Sequence, residues 1–240
     1  MIDSDQSRPS QALCAHTVNE IERSLSLIEV LREPLNSPMS PQPVGEIVVW
    51  EGDGVDSMIY IGVAVPPIGL DSHMVFAFAP PDSTLPHFTL DSVQSGDYLA
   101  FHLDLMPRLE LATNLGYMDQ VFSPLTETFD LGRGLEGLSP AQLGPRQIAL
   151  MSPWMLANRA TVDGFAAIKP IVDAYRNHWL SIVQEPGDLA AGHNGARARD
   201  LLHRSNLFNP DVDRVWAQMD RLLGEVTSAH LQNTLKTPRS

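Results

Sequence analysis

The stretch LPHFTLDSVQSGDYLAFHLDLMP, residues 85–107, carries His87, Asp91, His102 and Asp104 in two apolar runs that flank a glycine-containing turn. Carboxyl and imidazole groups at this density suit proton transfer. An acid kept protonated by burial, or a His–Asp pair sharing one proton, is a general acid near neutral pH. Packing has little use for them, because each unpaired charge in a core costs several kcal/mol.

Alternation sorts these residues by face. In residues 85–93 the odd positions Leu85, His87, Thr89, Asp91 and Val93 share one side, with Phe88 and Leu90 opposite. In residues 98–104 the even positions Tyr98, Ala100, His102 and Asp104 share a side, with Leu99, Phe101 and Leu103 opposite. A two-residue loop at Ser95-Gly96 pairs Val93 with Tyr98, Asp91 with Ala100, Thr89 with His102 and His87 with Asp104. The polar faces then coincide, and His87 lies across from Asp104 with Cβ atoms ~5 Å apart. Two readings stay open. A solvated face leaves the groups in water, whereas a face covered by helices makes a pocket whose carboxyls have raised pKa values.

The elements that position this hairpin follow from periodicity. Val18, Ile21, Leu25, Ile28 and Leu31 predict an amphipathic helix over 17–35, with Thr17 and Glu20 as its capping box. After the connector NSPMSPQP, the runs GEIVVWEG, MIYIGVAV and HMVFAFA read as strands, and their short connections imply antiparallel neighbours. Residues 114–131 read as a helix, and PRQIALMSPWMLA as one or two strands interrupted by Pro153. A long helix follows over 162–184, kinked or staggered at Pro170. The final stretch, from ARARDLLHR to LLGEVTSAHLQNTL, is helical around the loop SNLFNPDVD. Strands in the middle with helices before and after predict an α+β fold, an antiparallel sheet with helices on one or both faces. The chain is read as a single domain over 1–240, with 1–16 and 232–240 as flexible tails.

Composition narrows the class. The formal charge is −13, from 29 acids against 16 bases, which argues against nucleic acid or an anionic membrane as partner. The single cysteine, Cys14, excludes an intramolecular disulfide and any cysteine-based metal site within one chain. No metal site is expected. The opening MIDSDQSRPSQ lacks a basic and an apolar region, and no apolar run approaches the ~20 residues that span a bilayer, so a cytoplasmic protein is expected. His73, His178 and His193 occur singly and are read as satisfied or surface histidines. The run LGRGLEG lacks the context of a phosphate loop, and there is no nucleophile elbow, zinc-protease motif or dinucleotide fingerprint. DVDR, residues 211–214, reads as a first helical turn with acids favouring the dipole.

LPHFTLDSVQSGDYLAFHLDLMPR resembles the corresponding segment of red chlorophyll catabolite reductase and, more distantly, of the ferredoxin-dependent bilin reductases. The matching residues are Pro86-His87-Phe88, Asp91, Asp104-Leu105-Met106-Pro107 and Arg108, and the likeness continues through LATNLGYMDQVF and ARARDLLHRSNLFNPDVDRVW. The resemblance implies an α/β/α sandwich with a central antiparallel sheet, helices on both faces, and a tetrapyrrole pocket between sheet and C-terminal helices. It implies an oxidoreductase without a tightly bound cofactor, taking electrons singly from ferredoxin and reducing a linear tetrapyrrole. The plant enzyme's two acids fall on Asp91, there a Glu, and on Asp211; the bilin reductases' His and Asp fall on His87 and Asp104. Asp91 is thus expected as principal proton donor, His87 and Asp104 as a coupled pair, and Asp211 as second donor or anchor. His102, Arg108, Arg159 and Arg204 are expected to contact substrate. Arg197, Arg199, His203 and Arg204 form the one dense basic cluster for docking ferredoxin. The alternatives are a non-redox enzyme or binding protein of the same fold for another conjugated small molecule, and an interaction domain whose hairpin face is solvated or a dimer contact.

Overall fold

Period-two alternation through the middle of the chain builds one antiparallel sheet. The computed structural model describes residues 1–2, 8–191 and 194–239. In chain order the elements are α1 (Pro9–Ser24), β1 (Ile28–Leu35), β2 (Gly45–Gly52), β3 (Val55–Val65), β4 (Leu70–Phe78), β5 (His87–Ser95), β6 (Tyr98–Met106), α2 (Leu115–Val121), α3 (Thr126–Gly134), β7 (Leu138–Pro140), α4 (Pro145–Ile148), β8 (Leu156–Ala160), α5 (Val162–Ala167), α6 (Lys169–Gln184), α7 (Ala196–Leu207), α8 (Val215–Leu223) and α9 (Glu225–Lys236). The strands order as β1-β2-β3-β4-β5-β6-β8-β7, and each neighbouring pair is antiparallel. Among the described residues no helix is long and apolar enough to cross a membrane.

Each face of the sheet has its own core. Val48, Trp50, Met58, Tyr60, Val75, Ala77, Phe88, Leu90, Leu99, Phe101 and Leu103 point to the side covered by α1 and α6. Their neighbours Ile47, Val49, Ile59, Ile61, Met74, Phe76 and Phe78 point to the other side, where Leu207, Trp216, Met219, Leu222, Leu231 and Leu235 of α7, α8 and α9 meet them. The fold is therefore the expected sandwich. On that second face β2, β3 and β4 are apolar whereas β5 and β6 are polar, so the helices seal on the first three strands and stand off the last two.

Several expectations change. Residues 28–35 are a strand, not the end of a helix: α1 stops at Ser24, Ser26 takes a left-handed φ of 50°, and the backbone then pairs with β2. The apolar spacing ran on by coincidence, since Ile28 and Val30 are exposed on this edge strand. Thr17 lies inside α1 and its hydroxyl donates to the Leu13 carbonyl (3.0 Å), so it caps nothing. Residues 9–16 belong to α1 and bury Leu13, Cys14 and Ala15, and residues 232–236 continue α9. Beyond it the Arg239 amide donates to Asp56 (2.8 Å). The helix expected over 114–131 is broken at Pro124 into α2 and α3, and PRQI forms the short helix α4, with β8 following Pro153. Pro170 restarts the chain as α6 after α5, as a residue without an N–H must.

Candidate active site

The β5–β6 turn is Gly96-Asp97 rather than Ser95-Gly96. Gly96 has φ 60°, the left-handed value that a type II′ loop requires at its first position, where glycine is strain-free. The register consequently moves by two residues: Asp91 faces His102, Thr89 faces Asp104 and His87 faces Met106. A shift of two preserves the faces. The polar sides still coincide, but the partners differ from those expected.

Asp91 Oδ2 and His102 Nδ1 are 3.4 Å apart. Burial draws the His102 pKa down; hydrogen bonding and charge from Asp91, then the charges of Asp104 and Asp213, outweigh it, and the net direction is up. The outer atoms of the pair, Asp91 Oδ1 and His102 Nε2, are buried and lack a hydrogen-bond partner among the described residues. The Asp91–His102 strand pair opens onto a cavity of about 820 Å³, within the size range of small-molecule sites. The sheet supplies its floor through Met74, Phe76, Thr89, Tyr98 and Met106, the segment 141–147 one wall, and Phe208, Trp216 and Met219 the roof. The Trp216 indole N–H is likewise buried and without a partner among the described residues. Asp213 enters from the loop before α8, where its carboxylate accepts the Val215 amide (3.0 Å); burial and then the charge of Asp91 raise its pKa, against that hydrogen bond.

An apolar pocket over a paired acid and imidazole, between an antiparallel sheet and C-terminal helices, invites comparison with solved structures. The backbone is similar to that of phytochromobilin synthase from tomato, determined in complex with biliverdin, with a TM-score of 0.70 at 15% identity over 93% of this chain and 81% of that one. The two chains share their fold. No protein-family model and no curated protein matches the sequence.

Within this fold, the residues singled out from the sequence divide into three places. Asp91, His102 and Asp211 line the cavity, Asp211 at its exposed rim with its amide donating to Asn209 Oδ1 (2.9 Å). Arg159 lies over the Tyr98 ring at 5.6 Å, beside the cavity. Asp104 is buried beneath the wall, where it accepts the Ser152 amide (2.8 Å) and hydroxyl (2.5 Å); burial is the main cause that pushes its pKa to about 7.

The third place is a buried charge network. His87 does not meet Asp104: its Nδ1 accepts the Ala79 amide (2.9 Å) and its Nε2 donates to Asp200 (2.8 Å), and burial, then Arg108, hold its pKa well below the usual histidine value. Asp200 also pairs with Arg204 (2.9 Å) and faces Arg108 (3.5 Å), while Arg204 reaches Asp56 (3.0 Å) and covers the Phe78 ring at 4.0 Å. His87, Arg108 and Arg204 are thus engaged with one another's partners and do not line the cavity. The expected basic patch is reduced, because Arg204 is buried and His203 hydrogen-bonds the Leu150 carbonyl (3.0 Å), while Arg197, which pairs with Asp82 (2.6 Å), and Arg199 stay exposed.

Asp200, Asp213 and Ser152 were not visible as site or network residues in the sequence. Asp213 had a signal, the acid two places after Asp211, but a first-turn acid reads as a cap by default. His73 is satisfied by Tyr60 (2.7 Å) and Asp71 (2.8 Å), and His178 faces the Val121 carbonyl at 2.8 Å; His193 lies outside the described residues.

Proposed function

We propose that this protein reduces a linear tetrapyrrole, an open-chain chlorophyll catabolite or a bilin. The observation that carries the reading is the Asp91–His102 pair, with Asp91 Oδ1 and His102 Nε2 buried and without a partner among the described residues, at a cavity of about 820 Å³. Buried polar atoms are ordinarily hydrogen-bonded, so their unmet capacity points to a ligand that supplies both an acceptor and a donor. Support for the substrate class comes from the fold, since the tomato enzyme with this architecture was determined with biliverdin.

Reduction of one double bond takes two electrons and two protons. Ferredoxin delivers the electrons one at a time, and Asp91 donates protons to the substrate. His102, held by Asp91 and charged more readily than an ordinary histidine, returns a proton to Asp91 and hydrogen-bonds the substrate. Asp213 is the second carboxyl, its raised pKa suiting a donor, and Asp211 and Arg159 act at the rim.

One observation favours a second reading, a non-redox enzyme or binding protein of the same fold. The net charge is −13, and most of the basic cluster expected to dock an acidic ferredoxin is spent on internal partners. Anaerobic titration decides between them. Biliverdin and an open-chain chlorophyll catabolite are added in turn, followed by reduced ferredoxin. Reduction predicts a shifted visible spectrum that bleaches with electrons, and a loss of about 10²-fold or more in bleaching rate for Asp91→Asn with the pigment still bound. A shifted spectrum that persists supports the binding protein; no shift with either pigment removes the tetrapyrrole.

A further inference from the structure

The wall formed by residues 141–151 contributes Ala141, Leu143, Arg146, Gln147 and Met151 to the cavity, yet most of it is exposed and its only regular structure is the single turn of α4. Such a segment holds a fixed place only if its ends are tied. At its far end His203 holds the Leu150 carbonyl (3.0 Å), and Ser152 ties the backbone to the sheet, its amide and hydroxyl both donating to Asp104, at 2.8 and 2.5 Å. The Ser152 hydroxyl oxygen in turn accepts the Trp154 amide (3.0 Å), while the Trp154 carbonyl accepts the Tyr175 hydroxyl (2.7 Å) and its indole donates to Thr126 (3.0 Å). Asp104 is fully buried (0% exposed), does not line the cavity, and sits two residues from His102 on the same face of β6.

We infer that Asp104 is a positioning residue, which latches the cavity wall at Ser152 to the strand that carries His102 and so sets the width of the site. Both of its oxygens are occupied by Ser152, and a carboxyl turned away from the cavity has no oxygen to offer a ligand. The bond has two points of attachment, and it joins an irregular part of the cavity wall to a strand of the sheet. The claim that the latch affects binding rests on the reading under Proposed function; the claim that it holds the wall does not.

Asp104→Asn, Asp104→Ala and Ser152→Ala separate positioning from acid catalysis. In Asp104→Asn the amide oxygen still accepts the Ser152 amide and the amide nitrogen donates to its hydroxyl, so the latch persists without an ionisable proton. Hydrogen exchange over residues 145–155 is expected to stay within about twofold of wild type in Asp104→Asn, and to quicken by about tenfold in Asp104→Ala and Ser152→Ala. The biliverdin Kd is expected to follow the same order, with kcat much less affected than KM. Asp104→Asn with unchanged exchange but abolished reduction would make Asp104 a proton donor and overturn the proposal. Wild-type exchange in Ser152→Ala would overturn it as well, and this milder variant covers the case in which Asp104→Ala does not fold. If wild-type protein fails to bind biliverdin, the tetrapyrrole reading falls while the exchange comparison still decides the latch.

Discussion

Asp91 and His102 meet because two strands put them opposite each other, and each changes what the other can do. Without Asp91, burial alone acts on His102 together with the charges of Asp104 and Asp213, so Asp91→Asn should lower the His102 pKa, observable as an earlier titration of its ring protons by NMR. The sign for stability follows. A histidine whose folded pKa is raised stabilises the fold at pH values below its unfolded pKa of ~6.5, and that contribution is lost as the pH climbs through the folded value. Asp91→Asn should remove this part of the pH dependence. Asp200 has the opposite linkage: against burial, the hydrogen bond and charge of His87 and the charges of Arg108 and Arg204 pull its carboxyl to about 2, so its contribution is present at neutral pH and fades only in strong acid. Asp200→Ala leaves Arg204 and His87 buried with one partner fewer, and should cost about 3–5 kcal/mol in urea unfolding at pH 7. A loss under about 1 kcal/mol would mean that the network relaxes into water.

At the scale of elements, the register of β5 and β6 depends on the conformation of one glycine. Gly96 holds φ 60°, and a Cβ placed there meets no atom within 4 Å, so Gly96→Ala isolates the backbone term. It should destabilise by about 1 kcal/mol, measured by thermal unfolding, with the Asp91–His102 pairing intact. The alternation that assigned faces was readable in the chain because it depends only on neighbours. The loop was not, because Ser95-Gly96 and Gly96-Asp97 differ by which residue takes the positive φ. The same limit explains β1, whose residues carry a helical spacing but whose backbone groups are claimed by β2, distant in the chain. For α6 the apolar stripe and the burial agree, since the helix packs one side on a sheet face.

The whole molecule carries a formal charge of −13, and an acidic redox partner approaches against that field. If ferredoxin is the donor, its kcat/KM should rise as ionic strength increases from about 0.01 to 0.15 M, because salt screens the repulsion over a Debye length that shortens from ~30 to ~8 Å. A fall over that range would instead reveal a local attractive patch. The charge, an antiparallel sheet with helices against it, the order of the middle strands and the presence of an Asp/His face were determined by the sequence itself, since composition and period-two alternation are local properties of the chain. Which acid meets which histidine was decided only by tertiary structure. His87 went to Asp200 on a helix that follows it by more than a hundred residues, Asp104 went to Ser152, and His102 went to Asp91. Side-chain partners depend on register and on elements remote in the chain, and neither leaves a trace in the spacing of neighbours.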